Sequence, residues 1–272
     1  MVEPGIGLAF WGKLALGFVV GSGWVAWSTV AAERQGPAVG GLIGGLPSTI
    51  LVSLLFIGVT QTPRVAAETT TLIPLIQGIN GVFVLVYLAA VRRGLAAGLS
   101  AGLGAWVALA GAVAAAGLRD FAVSLAGWAV LAVGCYLVAE RLLAIPPGGK
   151  LAIRCTRMQI AARAVFGGTV IATAVLTAKL FGPSYGGIFA AFPATFFSSL
   201  VVTHRAGGRD FSRAVGKAMM TSGMINAALY SVAVRYAYPG CGLILGTAAS
   251  LAFSGLTAYC TYRFMRATAP AA

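Results

Sequence analysis

The run GAWVALAGAVAAAG (104–117) carries no charge and no alternation of apolar and polar positions. A half-buried strand alternates with period two, so a run apolar on every side predicts a fully embedded helix. Eight further stretches of similar character make a bilayer the natural solvent, because about 20 apolar residues cross the hydrocarbon as a helix. Without water, every backbone polar group must be paired inside its own segment, which a helix achieves and an open sheet does not. A transmembrane barrel would need alternating residues, and they are missing. Of the 272 residues, 59% are hydrophobic and 9% are charged, which is more apolar surface than a soluble domain of this length hides.

The expected fold class is therefore all-α: a polytopic membrane protein with nine transmembrane helices. They are placed at 8–31, 38–59, 70–91, 95–117, 120–139, 162–181, 184–203, 214–236 and 240–262. The segment ahead of the first carries Glu3 and no basic n-region, which argues against a cleaved signal peptide.

The net charge of +13 raises nucleic acid as a partner, and its distribution removes it. Nine crossings put 14 of the 19 Lys and Arg residues on one side, among them Arg92, Arg93, Arg157, Arg163 and Arg205. The other side keeps 5: Lys13, Arg64, Arg119, Lys179 and Arg235. The positive-inside rule then puts the N-terminus outside and the C-terminus in the cytoplasm of a multi-pass protein of the cell membrane. Membrane lipids are expected partners; nucleic acid is not. Cys135, Cys155, Cys241 and Cys260 are scattered and form neither a metal spacing nor a disulfide framework.

Sliding the chain by 146 residues aligns GPAVGGLIGGLPSTILVSL (36–54) with GPSYGGIFAAFPATFFSSL (182–200) without a gap. In that register Pro47 meets Pro193, Thr49 meets Thr195, Ser53 meets Ser199 and Asn80 meets Asn226. Gly21 meets Gly167, and Gly94 meets Gly240. Each copy holds four crossings, and the fifth crossing has no counterpart. The expected domains are 1–117, a first four-helix repeat; 118–158, a connector helix with a cytoplasmic loop; and 159–272, a second four-helix repeat. Five crossings per period invert the second copy. Inverted-topology repeats are a frequent construction of secondary transporters, whose site lies near the midplane where the copies meet.

Pro47 lies ten residues into its crossing, about 15 Å deep at the helical rise. A proline there lacks an N–H and crowds the carbonyl four residues back, so the carbonyls of Ile43 and Phe189 are expected to lose their partners. Hydroxyls follow each proline: Ser48, Thr49 and Ser53 in the first copy, Thr195, Ser198 and Ser199 in the second. Gln77, Asn80 and Asn226 place amides near the centres of the third and eighth crossings, with the hydroxyl stripes as their expected partners. Taken singly, these residues need do no more than pack or bond helices together. Duplicated and centred, they read as a substrate-binding site: Pro47, Ser48, Thr49, Ser53, Gln77 and Asn80 with Pro193, Thr195, Ser198, Ser199 and Asn226.

All six carboxylates (Glu3, Glu33, Glu68, Asp120, Glu140 and Asp210) fall at or near crossing ends. That argues against a carboxylate-based proton antiporter. Glu33 and Lys179 occupy equivalent positions and read as snorkelling interfacial charges before they read as a gate. No serine has a histidine and a carboxylate at a common depth, and no phosphate-loop, dinucleotide or zinc pattern occurs. The chain is expected to have no catalytic residues, metal or cofactor, and not to be an enzyme.

Each copy resembles the GlpM-like small four-helix membrane proteins. The resemblance rests on GLIGGLPST (41–49) with VRRG (91–94), and on GIFAAFPAT (187–195). The second copy departs from it in replacing glycines by alanines and in losing the paired arginines. That family is largely uncharacterised, so the resemblance implies a four-helix unit and a history of duplication and fusion rather than an activity. The function expected is that of an integral membrane transport protein, a secondary transporter or uniporter-like carrier of a small solute or ion. A non-catalytic structural or assembly factor and a lipid translocase are the alternatives, and a homo-oligomer stays open.

Overall fold

The computed structural model describes residues 7–34, 47–143 and 155–268. Its described elements are all helical, with no strand among them. In chain order they are α1 (Leu8–Arg34), α2 (Ser48–Thr60), α3 (Pro63–Thr69), α4 (Ile73–Ala90), α5 (Leu95–Ala115), α6 (Phe121–Leu137), α7 (Arg157–Phe181), α8 (Pro183–Ala190) and α9 (Ala194–Thr268). A 3₁₀ turn at Thr70–Leu72 joins α3 to α4.

Among the described residues, six helices are long and apolar enough to cross a membrane. The chain is thus compatible with a multi-pass membrane protein. The last of the six runs from Pro183 to Cys260 and is not one rod. Pro193 interrupts it between α8 and α9, and Gly208 (φ 75°) and Gly242 (φ 73°) break α9 into segments 194–207, 209–241 and 243–268. Both glycines sit in the left-handed region that residues with a Cβ rarely enter. Gly94 (φ 119°) is also left-handed, and the left-handed glycine near the position 146 residues on is Gly242, two beyond Gly240. α2, with 13 residues, is a shorter apolar helix, and residues 35–46 ahead of it lie outside the described residues.

Helix starts follow local chemistry. Thr62 caps α3 by accepting from Val65 N, with Pro63 at the first helical position, where no N–H is needed. Asp120 caps α6 through Val123 N at 2.9 Å. A capping box between Thr156 and Gln159 starts α7 at Arg157, five residues ahead of the crossing expected at 162.

The polarity of the assembly is that of a membrane protein. Val130 and Val133 of α6 and Val107 of α5 face outwards, whereas Asn80, Gln77, Thr70 and Ser231 are buried. The innermost side chains include Phe83, Tyr87, Ile76, Ile171, Leu200 and Tyr230. α6 bridges two neighbours: Ser124 Oγ accepts from Leu75 N at 3.1 Å, and Trp128 Nε1 donates to Met224 O at 3.2 Å.

α1 and α7 lie against each other through glycines. A Cβ added at Gly21 would meet Ile171 Cδ1, and one added at Gly167 would meet Val25 Cγ2 at 2.8 Å. Each of these two contacts is the other displaced by 146 residues, with the roles of the helices exchanged.

Candidate functional site

A cavity of about 520 Å³ opens where α2, α4, α7 and the start of α9 converge. Pro47, Ser48 and Thr49 reach it from the start of α2, and Gln77 and Asn80 from α4. Thr195, Ser198 and Ser199 reach it from the first segment of α9, and Asn226 from the second. Residues 146 apart, Thr49 and Thr195, thus face one space. The two remaining expected site residues do not line it. Ser53 is fully buried and its hydroxyl has no partner, and Pro193 is buried at the helix break.

The break itself departs from expectation in which carbonyl it frees. Phe189 O keeps a partner, accepting from Phe192 N at 3.1 Å as the last turn of α8 tightens. Ala194 N closes a tight turn over Pro193 onto Phe192 O at 2.7 Å. The carbonyl of Ala191 finds its partner on another helix: Asn80 Nδ2 donates to it at 2.9 Å. Ile43, the other expected carbonyl, lies outside the described residues.

The Asn80 side chain makes three hydrogen bonds. Its Nδ2 also donates to Gln77 Oε1 at 3.2 Å, and its Oδ1 accepts from Trp106 Nε1 at 2.8 Å. The hydroxyl stripes are therefore not the partners of this amide. Of the stripe hydroxyls, Ser198 turns back on its own helix, donating to Thr195 O at 3.3 Å. Among the described residues, neither the Thr49 nor the Thr195 hydroxyl has a hydrogen-bond partner, which leaves both available to a solute.

Two charged residues read from sequence as topological or interfacial also line the cavity, Arg163 and Glu33. Arg163 Nη2 donates to Ser199 Oγ at 3.2 Å, while its Nε is buried without a partner. Glu33 Oε1 accepts from Cys155 N at 2.8 Å where the end of α1 meets the approach to α7. Burial, with the Glu33 carboxylate alongside, pushes the Cys155 thiol up to about 11. The signal that could have flagged Arg163 is its position six residues after Arg157, about 9 Å further along the helix.

Phe166, Phe192, Phe196 and Met219 supply apolar walls. Trp106 packs edge-on against Phe192 with ring centroids 5.0 Å apart, and Phe166 lies edge-on to the same ring at 6.0 Å. A second cavity of about 400 Å³ lies among Glu68, Thr71, Arg119, Ser184 and Tyr185. Ile188 lines it, whereas Phe192, one turn further on, lines the first. The end of α8, pinned to Asn80 through Ala191 O, thus stands between the two.

A family profile described as "Protein of unknown function (DUF3147)" matches residues 160–263. No curated protein and no solved structure matches the chain.

Proposed function

We propose that the chain is an integral membrane transport protein, a carrier of a small solute or ion and not an enzyme. Its site lies near the midplane, between two inverted four-helix repeats joined by α6. The observation that carries this reading is the cavity flanked by Thr49 and Thr195, each at the start of a helix that follows a proline. Broken helices facing one space from corresponding positions of two halves are the construction transporters use to hold solute with irregular backbone at membrane depth.

Three further observations support it. The reciprocal contacts of Gly21 with Ile171 and of Gly167 with Val25 have the self-complementary form that a twofold relation requires. The matched span 160–263 runs from near the start to near the end of the second repeat (159–272), as expected if one repeat is the ancestral GlpM-like unit. Ile188 of α8 lines the second cavity and Phe192, just past the end of that helix, lines the first, as expected of a route opening alternately to either side. In this reading nine helices cross the cell membrane, the N-terminus lies outside and the C-terminus in the cytoplasm. Lipids surround the helices, nucleic acid is no partner, and association with a second copy is open.

Water accessibility tests it. Cys135, Cys155, Cys241 and Cys260 are replaced, and Thr49→Cys, Asn80→Cys, Thr195→Cys and Asn226→Cys are made singly. A membrane-impermeant maleimide is then applied from each side. Labelling at both Thr49→Cys and Thr195→Cys supports an aqueous site between the repeats. Absence of labelling at both, from either side, overturns it in favour of a dry packing core.

A further inference from the structure

We propose that the solute of this cavity is a small organic anion whose charged head is held by Arg163, an inference that rests on reading the cavity as a solute site. Arg163 lines the cavity and makes one side-chain hydrogen bond among the described residues, from Nη2 to Ser199 Oγ at 3.2 Å, although a guanidinium carries five donors. Its Nε is buried without a partner. Among the described residues, no carboxylate comes within ion-pair distance of it. A cation held in low dielectric calls for an anion, and a forked donor suits a carboxylate or phosphate head.

The backbone points the same way, independently. α2 and α9 both begin at the cavity wall, and the first-turn N–H groups of a helix have no carbonyl within their own helix. Ser48, Thr49 and Ile50 of one start and Ala194, Thr195 and Phe196 of the other line the cavity. Two helix N-termini add positive potential where Arg163 already supplies a charge. The unbonded Thr49 and Thr195 hydroxyls can donate to the same head.

Glu33 is the one carboxylate lining the cavity among the described residues, and it is tied to Cys155 N at 2.8 Å rather than to Arg163. It sits where α1 ends, on the same cavity as Arg163, so it limits how many negative charges enter. The phenyl walls and about 520 Å³ fit an organic body better than a bare inorganic ion.

The test uses the full chain in phosphatidylcholine nanodiscs with benzoate, benzamide and benzylammonium as probes of one shape and three charges, read by titration calorimetry and melting temperature. Benzoate is expected to bind and raise the melting temperature while the other two do not. Arg163→Gln is expected to weaken benzoate at least about tenfold, equivalent to about 1.4 kcal/mol. Equal binding of benzamide or benzylammonium, no benzoate binding at millimolar concentration, or unchanged affinity in a folded Arg163→Gln overturns the proposal. Should Arg163→Gln not fold, Ser199→Ala combined with Thr195→Val replaces it, with a loss of about threefold or more expected and an unchanged affinity overturning the proposal. Repeating the titration in phosphatidylglycerol nanodiscs separates the sources. Weaker benzoate binding there supports a lipid phosphate in the same anion site, and no change supports a soluble anion. Cysteine labelling at positions 49 and 195 without benzoate binding sinks the anion alone. Arg163-dependent binding without passage into proteoliposomes sinks the transport reading and leaves the anion site standing.

Discussion

The Trp106 indole donates to the Asn80 side-chain carbonyl at 2.8 Å, while the same amide donates to Ala191 O at 2.9 Å. One side chain thus joins α5 to the broken backbone between α8 and α9. A buried donor or acceptor left without its partner costs about 1–3 kcal/mol. Asn80→Ala strands both the indole N–H and the Ala191 carbonyl, so a loss of about 2–6 kcal/mol is expected. Trp106→Phe strands only Asn80 Oδ1 and keeps an aromatic ring against Phe192, so about 1 kcal/mol is expected. Denaturation of both variants in matched detergent checks the ranking. Equal stability of Asn80→Ala and the unaltered chain refutes the role of this amide.

The contact of α1 with α7 predicts a compensation. Gly167→Ala brings a methyl within 2.8 Å of Val25 Cγ2. Overpacking of this kind costs about 1–3 kcal/mol. Val25→Ala removes that atom, so the double variant should regain most of the loss, and Ile171→Val should do the same for Gly21→Ala. Gly168→Ala should not be rescued by a side-chain change, because the added atom lies 2.9 Å from Phe18 O, which is backbone. A double-mutant cycle on each pair gives the coupling. Additive losses in both would show that the helices do not meet as described.

Much of this arrangement is legible in residue order. Apolar runs mark the helices, Pro193 marks the break, and the 146-residue register pairs Thr49 with Thr195, two residues that line one cavity. What escapes the sequence is which polar groups satisfy each other. Whether the turn at Phe189–Pro193 frees the carbonyl of Phe189 or of Ala191 depends on how its last hydrogen bonds close. Arg163 is hidden for a different reason. Counting positive charges at helix ends treats every arginine alike, and only packing tells one that snorkels from one that turns into a cavity.

Ser53 and Ser199 lie 146 residues apart, and the structure separates them. Ser199 receives Arg163 Nη2, whereas Ser53 is fully buried with no partner. At the position 146 residues before Arg163 stands Gly17, where an added Cβ would lie 3.0 Å from the Phe56 ring. Burying an unpartnered hydroxyl costs about 1–3 kcal/mol on mutational scales. Ser53→Ala should therefore stabilise the chain by about 1 kcal/mol, while Ser199→Ala should be neutral or destabilising because it removes a partner of a cation. Melting the two variants side by side tests the split, and a stabilised Ser199→Ala with a destabilised Ser53→Ala would reverse the assignment.

Cys155 offers a titration at the cavity's edge. Burial first, and the Glu33 carboxylate second, push its thiol up to about 11, and Glu33 Oε1 accepts from its backbone N–H at 2.8 Å. The thiolate is the nucleophile, so alkylation should be slow at neutral pH and climb steeply only as pH approaches that value. Glu33→Gln removes a negative charge that disfavours the thiolate. The thiol value must then fall, and alkylation at fixed alkaline pH must quicken several-fold. Iodoacetamide rates on the variant whose single cysteine is Cys155 measure both effects, with and without Glu33→Gln. A rate profile centred near an ordinary thiol value, unmoved by Glu33→Gln, would separate Glu33 from Cys155 and open the mouth of the cavity to a different charge arrangement.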